Sequence, residues 1–222
     1  MSARTSHSQN KSYTTRIVSV VVVVFVVLAW LGLQVLDTSS HDVPATRSLP
    51  GAVDISTRVQ SGAEADRAQA SAEQLAHADP QCFEEGVVER VVDGDTLIVR
   101  IDGERVRVRL VGINAPESVH EDESRNTPEG RQSSEHLKTL VSEGETVYLQ
   151  QDTSYTDQYD RRLAYVWDAL PHDVDDAFDP QTIAEHMINA WQVIDGHAQA
   201  RTYEPDTLHD QLLQAFESEA SA

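Results

Sequence analysis

Residues 96–111 read TLIVRIDGERVRVRLV. Two runs of β-branched, largely alternating residues flank Asp102-Gly103, a dipeptide suited to a tight hairpin turn. Side chains alternate between the faces of a strand, so Arg105, Arg107 and Arg109 share one side of the second run. This hairpin is the centre from which the remaining elements can be placed.

Upstream, Gly86–Val92 (GVVERVV) has the same texture and supplies another strand. Downstream, Thr127–Ser142 (TPEGRQSSEHLKTLVS) reads as a helix. Thr127 suits its cap, Pro128 its first position and Glu129 its first turn, and Gly144 ends it. Thr146–Gln151 (TVYLQQ) and Leu163–Trp167 (LAYVW) return to strand. Pro171–Gln181 is an acidic loop, Ile183–Val193 has helical apolar spacing, and Leu208–Phe216 forms a final helix. The order of three strands, helix, two strands and helices predicts an α+β domain, mainly β. It is a five-stranded OB-fold barrel with two to three helices.

Ahead of this domain the composition changes. Ile17–Leu36 (IVSVVVVVFVVLAWLGLQVL) carries no charge. Twenty helical residues span roughly 30 Å, the thickness of a bilayer core. Arg4, Lys11 and Arg16 precede the run and Asp37 follows it, which puts the N-terminus in the cytoplasm. A cleaved signal peptide is the alternative, although the run is long for one and no clear A-x-A follows. The expected organisation is a cytoplasmic tail over 1–16, a membrane anchor over 17–36, a flexible acidic linker over 37–82 and a barrel domain over 83–222. The lipid bilayer is then a partner through residues 17–36, with the domain extracellular, or secreted if the run is cut. Within the linker, AEADRAQASAEQLAHA is alanine-rich enough for a short helix.

The chain has 37 acidic against 17 basic residues, a formal net charge of −20. Only two of the basic residues are lysines. Abundant carboxylates with scarce lysine resemble halophilic proteins, where salt screens self-repulsion. The single cysteine, Cys82, excludes an internal disulfide. The nine histidines show neither H-E-x-x-H nor zinc spacing.

Acidic turns stand at both open ends of the hairpin: Asp93-Gly94-Asp95-Thr96 enters it and Asn114-Ala115-Pro116-Glu117 leaves it. Strand pairing brings such ends together. Carboxylates, amide oxygens and carbonyls suit hard cations such as Ca²⁺ or Mg²⁺. Further on, Asp157–Tyr165 (DQYDRRLAY) puts arginine at the entrance to a strand, and arginine pairs bidentately with phosphate.

VVDGDT, RVRLVGINAPES and DQYDRRLAYVW, in this order and spacing, resemble the staphylococcal nuclease (thermonuclease) family, over about Gly86–Phe216. The resemblance implies an OB barrel that cleaves phosphodiester bonds of DNA or RNA with Ca²⁺, leaving 3′-phosphates. It implies that Asp95 is a metal ligand, with Asn114 standing where the family has a second aspartate and Ala115 where a backbone carbonyl ligates. It further implies Glu117 as general base, Arg109 and Arg161 as phosphate-binding residues, and Tyr159 and Tyr203 at the nucleotide surface. Asn114 keeps an oxygen but loses a charge. Arg162, where the family has a small residue, reads as a solvated strand-entry charge. Asp157 reads either as a carboxylate beside Arg161 or as a turn residue. Arg105 and Arg107 read as the strand's polar face, with nucleic-acid backbone contact as the alternative. The acidic stretch Asp173–Asp179 reads as a solvated loop. A non-catalytic OB module that binds nucleic acid or protein is the competing function. Asp95, Arg109, Glu117 and Arg161 together favour the enzyme, since a pure binder needs no such set.

Overall fold

A computed structural model describes residues 55–118 and 126–221. The expected tail and membrane anchor, 1–36, lie outside the described residues. Among the described residues no helix is long and apolar enough to cross a membrane.

Five strands close into a barrel. They are β1 (Glu84–Asp93), β2 (Thr96–Ile101), β3 (Glu104–Leu110), β5 (Thr146–Gln150) and β6 (Arg162–Trp167), in the spatial order β1-β2-β3-β6-β5. The β2–β3 turn is the expected Asp-Gly hairpin. Asp102 and Gly103 both have positive φ, 51° and 83°, which matches the twist of the flanking strands. Register shifts between Val88 and Arg90 and between Val91 and Asp93 bend β1, so that it pairs with β2 and also with β5 to close the sheet. β3 and β6 pair in parallel, with Arg109 opposite Leu163. A short ribbon of β4 (Ile113–Asn114) and β7 (Gln199–Ala200) lies beside the barrel.

Helix α3 (Pro128–Leu140) lies in sequence between the third and fourth barrel strands, β3 and β5, and Thr127 Oγ1 accepts from Gly130 N at 2.9 Å as its cap. The helical spacing over 183–193 resolves into two helices, α4 (Pro180–His186) and α5 (Ile188–Ile194). Between them Met187 is extended and forms a β-bridge with Trp167. The bridge satisfies backbone groups at the end of β6 and buries Met187 completely, which a continuous helix would not do. The acidic stretch 173–179 is less solvated than expected: Ala177 and Phe178 are buried, and Asp179 caps α4 through Thr182 N.

The largest difference from expectation lies upstream. From Thr57 the supposed linker holds α1 (Thr57–Gln69) and α2 (Ala72–His77), with Ser56 and Ser71 as side-chain caps. α1 packs on the last helix, α6 (Asp210–Ala220). Gly62 lies so close to α6 that a Cβ there would be 2.9 Å from Gln211 O. Asp66 is buried, and its two oxygens each accept at 2.9 Å, from Gln211 N and Leu212 N. His209, the residue before α6, makes no side-chain cap, so α1 satisfies those amides from outside. Small and polar residues hide this contact from a reading based on hydrophobicity.

Candidate functional site

The eight residues singled out above, Asp95, Arg109, Asn114, Ala115, Glu117, Tyr159, Arg161 and Tyr203, line one open cleft of about 450 Å³ at the end of the barrel. Asp93, Asp157 and Asp206 join them.

The Asp93–Thr96 turn and the 114–117 segment are held together directly. Ala115 N donates to Asp95 Oδ2 at 3.0 Å, and Thr96 pairs with Arg109 across the hairpin. Asp95 N donates to Asp93 Oδ1 at 3.2 Å. Two carboxylates thus flank one turn. Burial, then the charge of Asp95, pushes the Asp93 carboxyl up to about 6. The turn motif contained Asp93, but an Asp-Gly-Asp turn does not say that both acids face one cavity.

Arg109 is the inward member of its arginine series. Arg105 pairs with Glu89 at 2.7 Å, and both Arg105 and Arg107 are exposed, as the polar-face reading expects. Arg109 is 8% exposed. Its Nη2 lies 3.1 Å from Asp95 Oδ2 and donates to Ile113 O at 2.9 Å, while Nη1 donates to Leu110 O. Those carbonyls belong to the segment leading into Asn114, so the guanidinium fixes that segment. Its Cζ lies 5.8 Å from the Tyr203 ring centre. The Tyr203 hydroxyl donates to Asn114 Oδ1 at 3.2 Å, and the β4–β7 ribbon pairs Asn114 with Gln199.

Glu117 is anchored through its backbone to α3: Thr127 N donates to Glu117 O at 2.9 Å.

The opposite wall carries Arg161. Asp157 accepts from Arg161 Nε at 2.8 Å, lies 2.6 Å from Arg161 Nη2, and also accepts from the backbone N of Tyr159 and Arg161. Burial pushes the Asp157 carboxyl up, but the hydrogen bonds from Arg161 and Tyr159 outweigh it and leave its pKa lowered. Between the two readings of Asp157, the geometry selects the carboxylate that aims Arg161. Tyr159, 70% exposed, lies with its ring centre 5.5 Å from Arg161 Cζ. Each arginine of the cleft therefore has a tyrosine beside it at cation–π distance.

Arg162 corrects the expectation of a solvated charge. It is 3% exposed, lies 2.9 Å from Glu84 Oε2 and sits 3.9 Å from the centre of the Tyr155 ring. The alternation of β6 turns it away from the cleft, and its desolvated charge is paired with Glu84.

The candidate cation ligands of the cleft are all oxygens, the carboxylates of Asp93 and Asp95, the Asn114 amide and the Ala115 carbonyl, with the Arg109 guanidinium beside Asp95 Oδ2. This chemistry fits a hard cation, and the repulsion between the buried Asp95 and the half-buried Asp93 would be relieved by one. Among the described residues, no three His, Cys, Asp or Glu side chains gather to hold a metal.

Comparison with known proteins gives concordant results. The family model described as "Staphylococcal nuclease homologue" matches residues 107–222. The thermonuclease of Staphylococcus intermedius is 32% identical over 134 residues, covering 60% of this chain and 70% of that protein. The thermonuclease of Staphylococcus hyicus is 29% identical over 146 residues, covering 66% and 75%. Endonuclease YhcR of Bacillus subtilis strain 168 is 35% identical over 88 residues, 37% of this chain and 7% of that protein.

Proposed function

Because this chain belongs to the staphylococcal nuclease family, we propose that it hydrolyses phosphodiester bonds of DNA or RNA at this cleft. The observation that carries the reading is the convergence of two arginines, one from β3 and one from the approach to β6, opposite a carboxylate pair and Glu117.

In this reading Arg161, aimed by Asp157, and Arg109 take the phosphate oxygens and stabilise charge that grows as water adds to phosphorus. Glu117 accepts the proton of the attacking water, a role worth roughly 10²–10⁴-fold. Tyr159 and Tyr203 offer ring faces on which bases stack. Asp95, Asn114 and Ala115, with Asp93 beside them, would hold Ca²⁺. When bound, the cation supplies Lewis-acid polarisation of a phosphoryl oxygen and orients the water. The proposal extends to 3′-phosphate products, and to display of the domain outside the cell on the anchor at residues 17–36. The acidic surface is compatible with a polyanionic substrate at high salt, since at about 1 M the Debye length is only about 3 Å.

The test is cleavage of single-stranded DNA and RNA by the detergent-solubilised chain in molar KCl, with Ca²⁺ or with chelator, alongside Glu117→Gln. The expected result is cleavage that requires Ca²⁺, 3′-phosphate ends, and a loss of roughly 10²-fold or more in the variant. A folded chain that binds single strands without cutting them would instead support the binding-module reading, which the amide at Asn114 favours.

A further inference from the structure

The turn that carries Asp93 and Asp95 is held from behind by Gln192, a residue outside all three motifs. Gln192 lies on α5 and is fully buried. Its Nε2 donates to Gly94 O at 2.5 Å and lies 3.3 Å from both the carbonyl and the hydroxyl oxygen of Ser133 on α3. Carbonyl oxygens only accept, so the orientation of this amide is fixed, and its Oε1 must be the end facing His136 Nδ1 at 2.5 Å. His136, on α3, is held in turn: its Nε2 lies 2.9 Å from Asp195 Oδ2, and the His197 ring stacks on it at 4.0 Å.

The bond to Gly94 acts on the site through a single rigid unit. The Gly94 carbonyl and the Asp95 N–H belong to one planar peptide. Gln192 holds the carbonyl end, and Asp93 Oδ1 accepts from the N–H end at 3.2 Å. Rotation of that plane would swing the Asp95 N–H away from Asp93 Oδ1 and redirect the backbone that carries the Asp95 side chain. A plane pinned at both ends fixes the mutual placement of the two carboxylates before any ligand arrives.

We propose that Gln192, oriented by His136, is a positioning residue that presets the Asp93–Asp95 turn for cation binding. The proposal rests on the nuclease reading, because it supplies a role to the same oxygen cluster. Neither Gln192 nor His136 touches the cleft, so the effect is transmitted through Gly94. Loss of hydrogen-bond partners lying one shell outside a metal site costs roughly 10–100-fold in metal affinity.

The test titrates Ca²⁺ into the full chain in detergent and molar KCl, read by calorimetry, and in parallel measures cleavage as a function of Ca²⁺. Gln192→Leu keeps the bulk and removes the amide. His136→Phe leaves Gln192 in place and removes its orienting donor, while His136→Gln restores a donor. The expected result is a Ca²⁺ dissociation constant raised roughly tenfold or more in Gln192→Leu, less in His136→Phe, and near wild type in His136→Gln. In the same series kcat should recover at saturating Ca²⁺, a split that a general loss of stability would not produce. Should Gln192→Leu not fold, the His136 pair decides. Folded variants whose Ca²⁺ affinity stays within about twofold of wild type overturn the proposal while leaving the nuclease reading intact. A wild-type chain without measurable Ca²⁺ affinity overturns the proposal and the calcium part of that reading together.

Discussion

Replacing Gly94 with alanine tests how tightly the site is built. Gly94 is not among the positions of positive φ, so an alanine meets no backbone penalty and the cost is one of space. A Cβ at this position would lie 1.9 Å from Ser133 Oγ and 2.7 Å from both Ser133 Cβ and Ala115 Cβ. Rotating the serine hydroxyl removes the first clash and leaves the other two. Ordinary carbon contact begins near 3.5 Å, so one side must retreat by most of an ångström. Ser133 is completely buried in α3, whereas Ala115 sits on the loop between Asn114 and Glu117, so the loop gives way. Displacement of about 1 Å at a catalytic group costs on the order of 10²-fold, or about 2.7 kcal/mol of transition-state stabilisation. Overpacking itself should cost about 1–3 kcal/mol of stability. The assay is kcat/KM on a single-stranded oligonucleotide, with a thermal melt of the same sample. The double variant Gly94→Ala with Ser133→Gly removes two of the three clashing atoms and should recover part of the loss, a non-additivity expected of touching residues. If Gly94→Ala cleaves within about threefold of wild type with an unchanged melt, the reasoning about a rigid, preset loop is wrong.

Asp157→Ala should lower kcat/KM roughly 10–100-fold by freeing Arg161, with little change in the melting temperature, since that loop lies on the surface. Asn114→Asp retains the oxygen that accepts from Tyr203 and restores a charge. The Ca²⁺ concentration for half-maximal cleavage should fall roughly tenfold, and an unchanged value would remove Asn114 from the ligand set. Burial pushes the Asp66 carboxyl from 3.8 up to about 7, so the folded chain binds that proton more tightly than the unfolded chain does. The stability it contributes is complete below its unfolded pKa and is lost as the pH rises through about 7. The melting temperature should therefore fall between about pH 4 and 7, and Asp66→Asn should flatten that slope. Removing residues 1–79 deletes α1 and strips the cap from Gln211 and Leu212, which should cost at least about 1–2 kcal/mol by chemical denaturation. A truncated chain as stable as the whole would show that α1 is dispensable.

The sequence alone determined the barrel strands, the Asp102-Gly103 hairpin and the Thr127 cap, while its resemblance to a known family supplied eight of the residues that line the cleft. The strands, the hairpin and the cap rest on local rules: two-residue periodicity, turn chemistry and capping preference. It did not determine what lay far apart in the chain or depended on which way a side chain turned. Asp157 became an anchor for Arg161, and Arg162 turned inward to Glu84, because the approach to β6 fixes which neighbour faces the cleft. The break at Met187 follows from pairing with Trp167, a partner twenty residues away that no helical periodicity registers. The alanine-rich stretch of the linker is helical as its composition allows, but α1 is packed into the domain because Asp66 meets the uncapped end of α6 across 145 residues of sequence. Gln192 and His136 carry no motif, and only the packing of α3 against α5 behind Gly94 gives them a place in the site. Local backbone preference is written residue by residue, whereas satisfaction of a buried polar group depends on whatever the fold brings opposite it, which is why those partners were legible only in three dimensions.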